Sequence, residues 1–366
     1  MTKKINHNFN QEDQDKIKKT GLDFSQKTRS ASFIQQDNDI LFNKSLLDGI
    51  EIEPIEAALN KYPQIKEKYY GKAFKELNKE YPKETVGGYF IRIKKGKKVE
   101  FPIQSCLFLK NKKFKQKVHN IIVAEEGAQA HIITGCASAK AAEEAYHLGI
   151  SEFFVEKNAY LNFTMIHRWE KDIEVKPMSV AIVSQGGSFV SNYICLNPVR
   201  DIKMYPTAVL AKDCKATFSS LMVAYPNCIQ DIGSRVIFKE PGASAEIISR
   251  AVSLGGEVIA RGDLDSKAAG IKAHLECRGL IVTETGKIHA IPELKTKYRD
   301  VDMSHEAAIG KISKDEINYL RARGIPKEEA QSLIIRGFVD VNILALPEEL
   351  RKEVDKLADQ TLESGL

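Results

Sequence analysis

From Gly87 to about residue 303 the chain alternates short apolar, β-branched runs with brief polar breaks. GYFIRI, VEFPIQSCLFL, HNIIVAE, AQAHIIT, SEFFVE, YLNFTMI, SVAIVS, RVIFK, EVIARG and RGLIVTE each read as a strand, with Gly, Asn, Asp or Lys in the intervals. Glycines at 233, 242, 255, 262, 270, 279 and 286 recur at intervals of roughly 7 to 13 positions. Strands this short and numerous, with no long helical pattern between them, exclude a doubly wound α/β sheet. A sandwich, a barrel or a solenoid remains. A parallel β-helix fits the later part best, because each coil buries a few Val, Ile or Ala side chains against the next and only the ends need capping. One interruption, CASAKAAEEAYHLG (Cys136–Gly149), predicts a short helix or a lateral loop leaving the stack.

The flanks carry a different period. A short helix is expected over Gln11–Lys19, and Gly21–Asn43 reads as irregular chain whose apolar residues dock elsewhere. Pro54 opens a helical pattern with Ile55, Ala58 and Leu59, and Pro63 restarts it with Ile65, Tyr69, Phe74 and Leu77. At the other end, Ser313 and Glu316 form a capping box opening a helix over Lys314–Arg323 that Gly324 closes. Pro326 opens a second, with Ala330, Leu333, Ile334 and Phe338 on one face, and Pro347 opens a third with Leu350, Val354 and Leu357. The expected organisation is a helical region over 1–85, a β-helix core over 86–303 and a helical region over 304–366.

Composition narrows the function. With 54 basic and 49 acidic residues among 366, the net charge of +5 is small, and 43% hydrophobic content is ordinary for a chain with a buried core. The basic runs Arg92–Lys98 and Lys110–Lys117 lack interleaved aromatics, so they read as solvated turns and guarded strand edges rather than a nucleic-acid surface. No apolar stretch approaches the roughly 18 residues of a membrane span. The charged N-terminus lacks the apolar core of a signal peptide. The six cysteines (106, 136, 195, 214, 228 and 277) show no CxxC pair and read as free thiols of a reducing, cytoplasmic compartment. No GxxxxGK[ST] loop is present to cradle nucleotide phosphates.

The most informative stretch is Cys277–Phe338, where a cysteine, a His305–Glu306 pair and capped helices follow one another. Read from the residues alone, Cys277 is either a soft metal ligand or a small buried hydrophobe in a β-coil. His305–Glu306 is either a ligand pair or a hydrogen-bonded pair at the approach to a helix. A β-helix also invites an enzyme reading, as a polysaccharide lyase or an acyltransferase. That reading lacks support, because no hexapeptide repeat is visible.

The runs DIGSRVIFKEPGASAEIISRAVSLGG, LECRGLIVTETGKIHAIPEL and SHEAAIGKISKDEINYLRARGI resemble the SufB/SufD family of iron–sulfur cluster assembly proteins, and weaker similarity extends over GGYFIRIKKGKKVEFPI and TGCASA. The resemblance implies a mainly β fold, a right-handed parallel β-helix flanked by N- and C-terminal helical regions. It implies a scaffold without catalytic turnover, paired through its β-helix with itself as a homodimer or with a second SufB/SufD-type subunit. The C-terminal helices would bind a SufC-type ABC ATPase, and the iron–sulfur cluster would pass to recipient apo-proteins.

The resemblance also implies a ligand set. Cys277 matches the cysteine essential in SufB, His305 the histidine shared by SufB and SufD, and Glu306 the glutamate that follows it in SufB. Met303 falls where some SufD proteins carry a cysteine. One Cys, one His and one Glu per subunit, completed across an interface, suits a cluster that must be released. Cys195 and Cys228 are the candidates for a sulfur-accepting cysteine, while Cys136 reads as structural. Trp169 matches a tryptophan of SufB, but Arg168 replaces the usual asparagine beside it. The competing expectation is a SufD-like partner that holds the ATPase without ligating the cluster.

Overall fold

The period-two apolar runs fold as strands that alternate between two sheets, so that each coil gives one strand to each. The computed structural model describes residues 8–339, together with Lys352. The N-terminal cap contains α1 (Gln11–Lys18), β1 (Ala31–Gln36), β2 (Asp39–Ser45), β3 (Ile50–Pro54), α2 (Ile55–Lys61), α3 (Pro63–Lys68) and α4 (Lys72–Glu76). The stack then winds through β4 (Tyr89–Ile93), β5 (Ile103–Leu109), β6 (Lys115–Ala124), β7 (Gln129–Ser138), β8 (Tyr146–Val155), β9 (Tyr160–Arg168), β10 (Glu174–Val183) and β11 (Ser188–Cys195). It continues through β12 (Asp201–Met204), β13 (Thr207–Leu210), β14 (Lys215–Ala224), β15 (Ile229–Phe238), β16 (Ser244–Ser253) and β17 (Glu257–Ser266). It ends with β18 (Ile271–Ile281), β19 (Lys287–Lys295) and β20 (Val301–Lys311), after which α5 (Lys314–Ala322) and α6 (Lys327–Phe338) form a hairpin.

One sheet runs β2-β1-β5-β7-β9-β11-β14-β16-β18-β20 and the other β19-β17-β15-β12-β10-β8-β6-β4-β3, with β13 beside β10 and β15. Pairing is parallel throughout the stack and antiparallel only where β1 meets β2 and β3 meets β4 in the cap. The fold is the expected parallel β-solenoid, mainly β with helices near its ends. Its repeat is not the glycine spacing. Phe218 pairs with Ile247, Ile247 with Leu275 and Leu275 with His305, steps of 29, 28 and 30 residues that each complete one coil.

A continuous interior cluster runs from Phe33 in β1 to Cys277 in β18. Phe153, Phe163, Phe189 and Phe218 stack within it, at centroid separations of 4.7 to 6.0 Å. Glycine is required at 262, where a Cβ would collide with the Leu275 side chain across the interior.

Four local expectations need correction. Residues 21–30 are irregular as expected, with Leu22 docked, but from Ala31 onward β1 and β2 form a hairpin that starts the first sheet, with Phe33 fully buried. The region 1–85 is accordingly mixed, contributing three strands as well as helices. Cys136–Gly149 forms no helix; it is the end of β7, a turn and the start of β8, with Ala142 and Ala145 buried in the core. His305 and Glu306 lie inside β20 rather than at the entrance to a helix.

The helix from Pro347 lies outside the described residues. In α5 the Ser313 hydroxyl caps by accepting from the Asp315 N–H at 3.2 Å. α6 docks through Ala330 and Ile335, whereas Leu333, expected on the same face, is half exposed. The basic runs are answered by acids on neighbouring turns, Arg92 by Glu51 at 2.7 Å, Lys95 by Glu126 at 2.7 Å and Lys112 by Glu143 at 2.6 Å.

Candidate functional site

Alternation along β18 turns Ile271, Ala273, Leu275 and Cys277 inward, and Lys272, His274, Glu276 and Arg278 outward. Cys277 is 4% exposed at the end of the interior cluster. Burial pushes its thiol up to about 11, with Glu276 adding to the rise and Arg250 opposing it. At neutral pH the side chain is therefore a protonated thiol. A metal that binds it must displace that proton.

Parallel pairing sets the other two candidates. His305 pairs with Leu275, Glu306 with Glu276 and Ala307 with Cys277. His305 thus occupies the inward-facing register two positions from the one above Cys277. It ends a column, Phe218–Ile247–Leu275, that is apolar in the three coils before it. Only the small Ala307 lies over Cys277 in the last coil. Glu306 shares the opposite face with Glu276. There Glu276 forms ion pairs with Arg250 at 2.7 Å and Arg278 at 2.6 Å, and Arg278 reaches Glu306 at 3.9 Å. The structure therefore brings Cys277 and His305 to one face and sets Glu306 on the other. Among the described residues, no group of three His, Cys, Asp or Glu side chains converges as a metal site.

The sequence reading missed the Arg250–Glu276–Arg278 ion ladder. Its signal lay in the coil length: once Arg250 and Arg278 are known to be one repeat apart, they stack, and Glu276, two positions before Arg278 on the same face, can pair with both.

The site lies at the open end of the solenoid. β19 pairs only with β17 and β20 only with β18, so among the described residues both outer edges are unpaired. Ile291, Leu294 and Ile309 are 38%, 43% and 39% exposed there. The hairpin beyond touches the body through α6, while α5 buries no residue and Tyr319 is 57% exposed.

The remaining thiols are all free and buried. Cys136, His167 and Cys195 pair in consecutive coils, and burial holds the Cys195 thiol at about 12. Cys195 is 0% and Cys228 5% exposed. His274 bonds the Ser304 hydroxyl at 2.8 Å, and His289 lies 3.7 Å from Glu257.

Residues 107–338 match the family model for the SufBD core domain of SUF-system iron–sulfur cluster assembly. The chain is 45% identical over 346 residues to an iron–sulfur cluster assembly SufBD family protein of Archaeoglobus fulgidus, covering 93% of each. A protein of the same description from Methanothermobacter thermautotrophicus is 38% identical, over 95% of this chain and 87% of its own length. One from Pyrococcus horikoshii is 26% identical, over 91% of this chain and 76% of its own length. Among the described residues, no helix is long and apolar enough to cross a membrane. With a solenoid core, a helical hairpin beyond it and similarity along nearly its whole length, the chain belongs to the SufBD family of iron–sulfur cluster assembly proteins.

Proposed function

We propose that this chain is a scaffold subunit on which a nascent iron–sulfur cluster is built as cargo between two β-solenoid subunits, and that it has no ATP site of its own. One observation carries the reading: a buried thiol, Cys277, lies one coil below an open solenoid end, covered only by Ala307, with His305 in the last coil beside it. An unpaired edge of 11 residues in β20 favours pairing with another chain, and the exposed Ile291, Leu294 and Ile309 favour a partially apolar contact. A second copy of the chain, or a second SufB/SufD-type subunit, would bring a second Cys277 and His305 near the first. Glu306, exposed and weakly paired, is free to turn toward that partner. α5, which buries no residue, is the surface we assign to a SufC-type ATPase.

Anaerobic reconstitution with ferrous iron and sulfide tests the ligand assignment. The wild type should develop cluster absorption and Cys277→Ser should not; a full cluster on Cys277→Ser refutes it. Charge reversals on exposed Lys314, Arg321 and Arg323 should weaken capture of the ATPase and leave the far-ultraviolet spectrum unchanged. Equal capture would move that contact elsewhere.

A second reading, a SufD-like partner that does not ligate the cluster, is favoured by Glu306 facing away from Cys277. An absence of cluster on the chain alone, restored by a separate SufB-type subunit, would establish it.

A further inference from the structure

The turns that follow β7, β9 and β11 leave the solenoid at one corner and stack there. Between them and α1 lies a cavity of about 410 Å³. Two carboxylates in its wall are already matched, Glu170 by Lys16 of α1 and Glu143 by Lys112 at 2.6 Å. That leaves Lys140, Arg168 and Lys171 against a single carboxylate, Asp172, a residual of +2 from three cations and one anion. Among the described residues, none of these three cations has a hydrogen-bond or ion-pair partner of its own.

Arg168 is the telling group. It is half-buried, and burial makes its charge harder to hold, against some relief from Glu170 and Tyr225. A desolvated guanidinium without a partner costs free energy unless an anion completes it. The wall around it is already fixed. Ser138 accepts from the Glu170 N–H at 2.9 Å, Asn197 donates to the Trp169 carbonyl, and Lys16 pins Glu170 from α1. Trp169 lines the cavity, 2% exposed, its ring packed against His147 and His167 and its indole N–H buried without an acceptor. A site that needs no rearrangement loses little entropy on binding.

We propose that this cavity binds a small phosphorylated ligand. The Arg168 guanidinium would take two phosphate oxygens as a fork, and Lys140 and Lys171 would act as point charges. Charge selects phosphate over carboxylate: a phosphate monoester carries about −1.5 to −2 at pH 7 and matches the residual, whereas a carboxylate leaves half of it unanswered. The site is distinct from the open solenoid end and stands whether or not a cluster forms there.

Trp169 is the chain's single tryptophan, so its fluorescence reports on this wall alone. The full chain is titrated at low salt with inorganic phosphate and, in parallel, with acetate, following fluorescence and heat. Phosphate should bind saturably and acetate about tenfold more weakly or worse. Arg168→Gln should weaken phosphate binding about ten- to hundredfold, with Arg168→Lys between the two. Should Arg168→Gln fail to fold, Lys140→Gln combined with Lys171→Gln alters only exposed side chains and should weaken binding in the same sense. No saturable phosphate binding by the wild type, undiminished binding in these variants, or acetate as tight as phosphate would each overturn the proposal.

Discussion

The protonated state of Cys277 makes a quantitative prediction. With its thiol held at about 11, the thiolate fraction at pH 7.5 is on the order of 3 in 10,000, against about 1 in 10 for an unperturbed cysteine near 8.5. That difference slows alkylation roughly 300-fold. The greater basicity of the thiolate returns about tenfold, leaving a net slowing of about thirtyfold before any occlusion by Ala307 is counted. Timed iodoacetamide labelling at pH 7.5, read by mass spectrometry of the Cys277 peptide in folded and guanidinium-unfolded protein, measures the ratio. Metal binding must follow the same proton. Each thiol loses one proton to the metal, so apparent affinity for cobalt or ferrous iron should rise about tenfold per pH unit from pH 6 to 9. Labelling within threefold of the unfolded rate, or affinity flat with pH in the wild type, would refute the reasoning.

Three further outcomes follow from the packing. Glu152 is fully buried, accepting from the Gly71 and Ala73 N–H groups at 2.6 and 2.8 Å and lying 2.8 Å from His119; Glu152→Ala should cost about 3–5 kcal/mol in urea unfolding and loosen residues 62–86 to protease, and a loss below about 1 kcal/mol would contradict this. Burial lowers His131 to about 4, His147 to about 3 and His167 well below its ordinary value, so each stays neutral when folded while the unfolded chain binds protons below about pH 6.5. Stability should therefore be full above pH 6.5 and fall by about 1 kcal/mol per histidine per pH unit down to about pH 4, a slope that His147→Gln should reduce. Ile309→Lys, in the last coil and 39% exposed, should weaken self-association about a hundredfold without lowering the melting temperature, as light scattering would show; an unchanged oligomer would place the contact elsewhere.

The regular coils were legible because their apolar residues keep period two, from Tyr89 to Leu275. Elsewhere local chemistry hid the strands. β1 reads ASFIQQ, and its Ser32 and Gln35 look like loop residues. Both are buried and satisfied, Ser32 by the Gln104 amide at 2.8 Å and Gln35 by the Gly88 N–H and the Asp37 carbonyl. Helix propensity misled at Cys136–Gly149, whose alanines are used instead as small side chains at a solenoid corner, with Ala142 and Ala145 at 0% and 2% exposure. The register that puts Cys277 beside Ala307 depends on a coil length of 28 to 30 residues, which no residue type marks.

β20 was misread for a more informative reason. VDMSHEAAIGK lacks the apolar alternation of a buried strand because, among the described residues, nothing is stacked beyond it. A solenoid that only had to end would finish on a short, twisted or charged edge. This one ends on 11 residues of strand with Ile309 exposed, and it changes an inward column from Leu275 to His305 at that last step. Both departures follow if the coil completes its core only against another chain. His305 and Glu306, on opposite faces of that last strand and, among the described residues, with nothing stacked beyond them, looked in the sequence like a polar junction before a helix.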